Sequence, residues 1–238
     1  MSLLTNLIHY FKMDGNSNDI VGADNGTDTA ITYNAGNGKI SLGAGFNGTT
    51  SEIILGTAIP MQTNLTIAAW VKTANLGTRQ VIFGDSDATA TQVYELDLQA
   101  SQKLRFQWSS SGTDFRSYIT DAIAINDNNW HHIVVTQVGT GAPRFYVDGV
   151  AVSSSLSGSG GAATKPAAQT SAIGEYGGYA AGLSFWNGAI DELGYWSRAL
   201  SSADVTQLYN GGAGISYPFG PVSTNLFRNQ AVMRSNIY

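Results

Sequence analysis

GAIDELGYWSRALSSADVTQLYNG, residues 188–211, reads as one strand running into one short helix. Along the strand, a period of two places Asp191, Leu193 and Tyr195 on one face and Ile190, Glu192 and Trp196 on the other. The helix start is strongly marked. Ser201 and Asp204 form a capping box, and Leu200 and Val205 occupy the two positions of a hydrophobic staple. Val205, Leu208 and Tyr209 make a narrow apolar stripe, and Gly211 suits a left-handed stop. No other stretch carries a comparable helix signal.

Upstream, short strands alternate with polar turns. Residues 130–152 are the clearest hairpin unit: WHHIVVTQV and RFYVDGVAV are rich in β-branched and aromatic residues, and Asp148-Gly149 is a two-residue turn signal. Residues 65–72 (LTIAAWVK) read as a central strand with Trp70 as its core anchor. Residues 81–84, 93–99 and 104–108 follow at the spacing of an antiparallel sandwich. At the N-terminus, residues 7–13 (LIHYFKM) alternate up to an Asp14-Gly15-Asn16 turn, and a polar loop centred on Asp19 and Gly22 follows. Residues 153–170 are Gly-, Ser- and Ala-rich and read as a surface loop. Beyond the helix, Pro218 and Pro221 break any central-strand pattern. The expected organisation is one sandwich over residues 1–214 and an extended tail over 215–238.

Composition narrows the function. Of 238 residues only 12% are charged, the formal net charge is −5, and the twelve Lys and Arg are scattered singly. That argues against a nucleic-acid surface. No run approaches the length of a membrane span, so membrane insertion is not expected. With no cysteine, core packing, hydrogen bonds or a metal must hold the fold. The opening MSLLTNLIHYF has no basic n-region or small-residue cleavage site and suits a first strand better than a signal peptide. Asn25, Asn47 and Asn64 each begin an Asn-x-Thr triplet and are read as turn and strand residues.

HYFKMDGNSNDIVG near the N-terminus, the Trp-His-His strand with its Tyr-Val-Asp-Gly ribbon, and the closing Ile-Asp-Glu strand with its capped helix together resemble a known family. They are similar to laminin G-like domains of the concanavalin A-like lectin and glucanase superfamily, from about Leu7 to Asn210. The resemblance implies an all-β, two-sheet antiparallel jelly-roll sandwich with one short C-terminal helix. It implies a location outside the cell or on a particle surface, a virion included. The fold hosts lectins, adhesins, enzymes and spacers, so function must be argued from sites.

Three constellations bear on chemistry. The resemblance implies a structural calcium joining Asp19 and the Gly22 carbonyl to Asp191 of the closing strand, in keeping with calcium's taste for carboxylates and carbonyls. The alternative is that Asp19 caps its own turn and Asp191 accepts a backbone hydrogen bond. Tyr176, Tyr179 and Trp108 offer ring faces to a sugar, with Asp85 and Arg79 to bond its hydroxyls; loop packing is the alternative for each. On residues 94–99, Glu95, Asp97 and Gln99 share a face as in laminarinase-type glucanases, but Gln99 stands where an acid/base is needed and cannot exchange a proton. The alternative there is a solvent-facing strand. His131 and His132, adjacent on a strand, point to opposite faces and cannot readily share one ion. His9 has no partner by any spacing rule.

The reading is a non-catalytic recognition module, a carbohydrate-binding or adhesion domain with a structural calcium. Its partner would be a glycan or glycosylated surface, with a protein partner for the tail. A structural or assembly domain without sugar binding is the alternative, and a glucanase-like hydrolase stands third.

Overall fold

The computed structural model describes residues 2–74, 77–89, 91, 93–112, 115–121, 123, 125–158, 165–177 and 184–220. In chain order the strands are β1 (Leu7–Phe11), β2 (Gly26–Thr29), β3 (Thr32–Asn34), β4 (Gly43–Asn47), β5 (Glu52–Leu55), β6 (Asn64–Lys72), β7 (Gln80–Ser86) and β8 (Val93–Leu98). They continue with β9 (Leu104–Ser109), β10 (Arg116–Thr120), β11 (His131–Val138), β12 (Arg144–Val147), β13 (Val150–Val152), β14 (Ser154–Leu156), β15 (Thr170–Ile173) and β16 (Asn187–Trp196), and α1 (Ser202–Tyr209) closes the series. Two antiparallel sheets result. The first runs β13-β12-β11-β6-β16-β4-β3, with β1 also against β16; the second runs β14-β10-β9-β8-β7-β15-β5-β2.

Alternation along each strand sends one set of side chains between the sheets. Ile67, Ala69 and Val71 of β6 and Ile133 and Val135 of β11 meet Tyr94, Leu96, Phe106 and Trp108 from the second sheet in one main core. The two-residue turn falls where expected: Asp148 (φ +52°) and Gly149 (φ +78°) join Val147 to Val150. Within the expected loop over residues 153–170, Ser154–Leu156 instead forms an edge strand on β10.

The pivot is β16. It pairs with β6 along one edge and with β4 and then β1 along the other. Strict alternation fails inside it, because the register against β6 slips between Asp191 and Gly194 and Glu192 adopts φ +51°. This bulge brings Ile190, Leu193 and Tyr195 all into the main core and leaves Trp196 on the outer face. The expected grouping of Asp191 with Leu193 and Tyr195 is corrected accordingly.

The helix forms as its caps dictate. Ser201 Oγ accepts the Asp204 N–H, and the Asp204 carboxylate accepts the Ser201 N–H. Leu200 and Val205 are buried together, and the left-handed stop falls on Asn210 (φ +48°), just before Gly211 (φ +61°). Leu200, Val205 and Leu208 pack on Tyr10, Ala68, Val134, Tyr146 and Trp196, making a second core on the outer face of the first sheet. Trp70 is buried there too, stacked on Tyr209 with the Lys39 ammonium 4.4 Å over its ring, and does not enter the main core.

The chain beyond Gly214 joins this second core. Phe219 sits 5.2 Å from the Tyr10 ring and stacks 6.3 Å from Trp196, with Ile215 and Tyr217 beside it. The packed unit therefore runs past the expected boundary at 214, to at least Phe219. Residues 221–238 of the expected tail lie outside the described residues. Among the described residues no helix is long and apolar enough to cross a membrane.

Candidate functional site

Two of the residues expected to hold a ligand come together. The Arg79 guanidinium lies 4.7 Å over the Tyr176 ring, on the outer face of the second sheet. Tyr176 is itself buried there, with Val81, Val93 and Phe115. Trp108 faces the other way: it is 0% exposed and stacks on Tyr118 in the main core, so it offers no face to a sugar. Asp85 is also buried, accepting from Ser171 Oγ at 2.7 Å and the Gln169 N–H at 2.9 Å, and burial pushes its carboxyl up to about 6. Ser171 Oγ in turn accepts the Ile59 N–H, so Asp85 pins a connecting segment. Both assignments are corrected. Tyr179 lies outside the described residues.

The Glu95 and Asp97 side chains are fully buried, where a solvent-facing strand was the alternative to catalysis. Arg79 contacts Glu95 through Nη2 and Asp97 through Nε at 2.9 Å, while Arg105 Nη2 reaches Glu95 at 2.7 Å and Asp97 as well. Gln107 donates to Glu95, and Gln99 Nε2 donates to Asp97 at 2.6 Å. Burial pushes the Glu95 carboxyl up, as does Asp97 beside it, against the pull of the two arginines. All four carboxylate oxygens carry a donor. A nucleophile or acid/base needs an oxygen facing substrate, and this belt leaves none.

The residues implied for calcium do not fit the ion. Asp19 Oδ1 accepts the N–H groups of Tyr10, Val21 and Gly22, and Oδ2 accepts that of Asp24 and lies 2.7 Å from His9 Nδ1. Five partners saturate one carboxylate, and despite burial they hold it down at about 2. His9, expected to be unpaired, is thus its partner. Asp191 anchors a different segment, accepting from the Lys39, Ile40 and Glu192 N–H groups. Among the described residues no three His, Asp or Glu side chains gather as a metal site. His131 pairs with Asp148 and Asp127, whereas His132 is buried against Trp70 and lowered by burial to about 4.

An open cleft of about 370 Å³ lies on the outer face of the first sheet, beyond the helix. Its floor is one transverse row, because Thr32 registers with Gly45, Gly45 with Ala189, and Ala189 with Lys72. A Cβ at Gly45 would stand 2.1 Å from Asn37 Nδ2, so Asn37, which bridges to Thr32, would have to move. Gly188 is required outright, since its Cβ would stand 2.0 Å from the Lys72 carbonyl oxygen. Asn37, Asn47, Asn128 and Asn187 form the walls. The side chains of Lys72, Asn128 and Asn187 make no hydrogen bond among the described residues. Sequence reading missed this cleft. Its only trace is that Gly36-Asn37, Asn47-Gly48 and Asn187-Gly188 are three Gly/Asn pairs, each of which reads as an ordinary turn.

A two-sheet jelly roll with one capped helix against its closing strand defines a lectin-like β-sandwich. The profile of the concanavalin A-like lectin/glucanases superfamily matches residues 46–206, and the chain belongs to that superfamily. No curated protein matches the sequence. The binding domain of Paraclostridial Mosquitocidal Protein 1 superposes with a TM-score of 0.67 at 18% identity, over 87% of this chain and 52% of that one. Domain 4 of AbnA, an extracellular arabinanase from Geobacillus stearothermophilus solved with arabinotriose, superposes at 0.65 and 22% identity, over 88% and 98%. The receptor binding domain of botulinum neurotoxin C/D mosaic serotype superposes at 0.63 and 14% identity, over 87% and 51%. The chain thus spans about half of each toxin domain and nearly all of the arabinanase domain. At these identities the likeness is one of fold.

Proposed function

We propose that this chain is a non-catalytic glycan-recognition module and that oligosaccharide binds in the cleft over Gly45 and Ala189. One observation carries the reading: a cleft of ligand size, about 370 Å³, walled by side-chain amides of which two, those of Asn128 and Asn187, have no hydrogen-bond partner among the described residues. Amides donate and accept at once, which suits the hydroxyls of a sugar. The arabinotriose held by the AbnA domain, on the same fold, supports this class of ligand. The occupied oxygens of Glu95 and Asp97 support recognition over hydrolysis. Such a module meets its glycan on an exposed surface, outside a cell or on a particle.

A glycan array tests the reading, with the intact chain beside an Asn128→Ala/Asn187→Ala variant. Both asparagines are exposed, but Asn128 adopts φ +65°, where alanine costs about 1 kcal/mol, so the melting temperature should fall by no more than about 4 °C while binding falls at least tenfold. Binding that survives in the variant moves the site elsewhere. No reproducible sugar binding by the intact chain would favour an assembly domain instead.

A further inference from the structure

The cleft has a charge asymmetry that amide chemistry alone does not require. The chain carries a formal net charge of −5, yet the cleft is lined by one cation, Lys72, and by no carboxylate. Among the other described cations several are paired or stacked, while Lys103, Arg116, Arg144 and Lys165, like Lys72, form no ion pair. Lys12 reaches Asp14, Arg79 and Arg105 clamp Glu95 and Asp97, Arg198 holds Asp204, and Lys39 covers Trp70. Lys72 forms no ion pair among the described residues. Its backbone is held in place, because β16 passes so close at Gly188 that no side chain fits between them.

We propose that the cleft selects an anionic sugar, with the Lys72 ammonium meeting a carboxylate or sulfate and the Asn128 and Asn187 amides meeting neighbouring hydroxyls. The inference rests on the glycan reading above and sharpens it. A ligand entering the cleft strips water from the ammonium of half-buried Lys72. A neutral sugar repays that loss poorly, whereas an anion replaces the water with a charge-assisted hydrogen bond. Selection therefore comes as much from rejection of neutral sugars as from attraction of acidic ones.

Matched probes separate the two levels. The intact chain is titrated with galactotriose and trigalacturonate, with mannotriose and trimannuronate, and with a sulfated galactose trisaccharide. At least one acidic probe should bind about tenfold or more tighter than its neutral match, the scale of one charge-assisted bond. Lys72→Gln should bring that probe down to the affinity of its neutral match, and raising salt from about 50 mM to about 500 mM should weaken the acidic probe most. Carboxylated and sulfated probes identify which anion is preferred. If neutral and acidic probes bind alike and Lys72→Gln alters neither, the anionic inference fails while glycan recognition stands. If no probe binds, and the array shows none either, both fail.

Discussion

Phe219→Ala probes how far the folded unit extends. Phe219 is 9% exposed, edge-on to Tyr10 at 5.2 Å and stacked 6.3 Å from Trp196, at the margin of the second core. Phe→Ala in a closed core costs about 3–5 kcal/mol, and a marginal site relaxes more readily, so about 2–3 kcal/mol is expected. For a domain of this size each kcal/mol moves the melting temperature by roughly 2–4 °C, giving a drop of about 4–12 °C. Entropy sharpens the argument. Ordering each backbone residue of segment 215–219 costs roughly 1–2 kcal/mol, so the segment stays docked chiefly through Ile215, Tyr217 and Phe219, with Ser216 bonding the Glu192 carboxylate. Losing one ring therefore tends to release the segment whole, and protection of the Tyr10 amide from hydrogen exchange should fall with it. Val138→Ala is the control; its side chain is 65% exposed and the change should stay within about 0.5 kcal/mol. Thermal and urea unfolding of the full chain give the readout. A Phe219→Ala melt indistinguishable from the Val138→Ala melt would refute the docking.

Stability should peak at mildly acidic pH. Burial pushes Asp191 up to about 8, Glu192 and Glu175 to about 7 and Asp85 to about 6, so their contribution is full below the ordinary carboxylate range and is lost as pH rises from about 5 to 8. His132, lowered by burial to about 4, and Asp19, held at about 2 by its hydrogen bonds despite burial, act oppositely: the His132 contribution is lost as pH falls from about 6.5 to 4, and that of Asp19 from about 4 to 2. Glu192→Gln should recover on the order of 2–3 kcal/mol at pH about 8 and little at about 5; stability climbing steadily to pH 8 in melts across this range would be the contrary result. For the metal, a chelator should leave the melting temperature unchanged, whereas Asp19→Ala, which strands five partners, should lower it by 5 °C or more, about 2 kcal/mol or beyond. Calcium-specific stabilisation of chelator-treated protein by several degrees would overturn that expectation.

What the sequence discloses and what it hides divide along physical lines. Local signals read well: the Ser201–Asp204 box, the Leu200–Val205 staple and the Asp148-Gly149 turn each act within a few residues, and each forms as read. The bulge at Asp191–Gly194 does not, because it arises where β16 changes partner from β4 to β1, a property of the assembled sheet. Trp108 and Tyr176 show the same limit. Aromatic chemistry is visible in a sequence, but whether a ring faces core or solvent depends on which strands close over it. The Asp19 loop was legible as an anchor; what it anchors, five donors including His9, emerges only from its fold against β1.

The place of the cleft follows from how the two sheets are covered. Each sheet of a sandwich has one face in the core, and the other must be covered or hydrated. Helix α1 and segment 215–219 cover the middle of the first sheet, and the arginine–carboxylate belt with Tyr176 fills the outer face of the second. In the belt every carboxylate oxygen already has a partner, so a ligand there would have to break existing bonds before making its own. The strip over Thr32, Gly45, Ala189 and Lys72 lies beyond the helix. Small residues keep its floor low, and the Asn128 and Asn187 amides and the Lys72 ammonium at its walls remain free among the described residues. Recognition costs least where polar groups are already held by the sheet but not yet bonded, and on this fold that condition is met at the cleft.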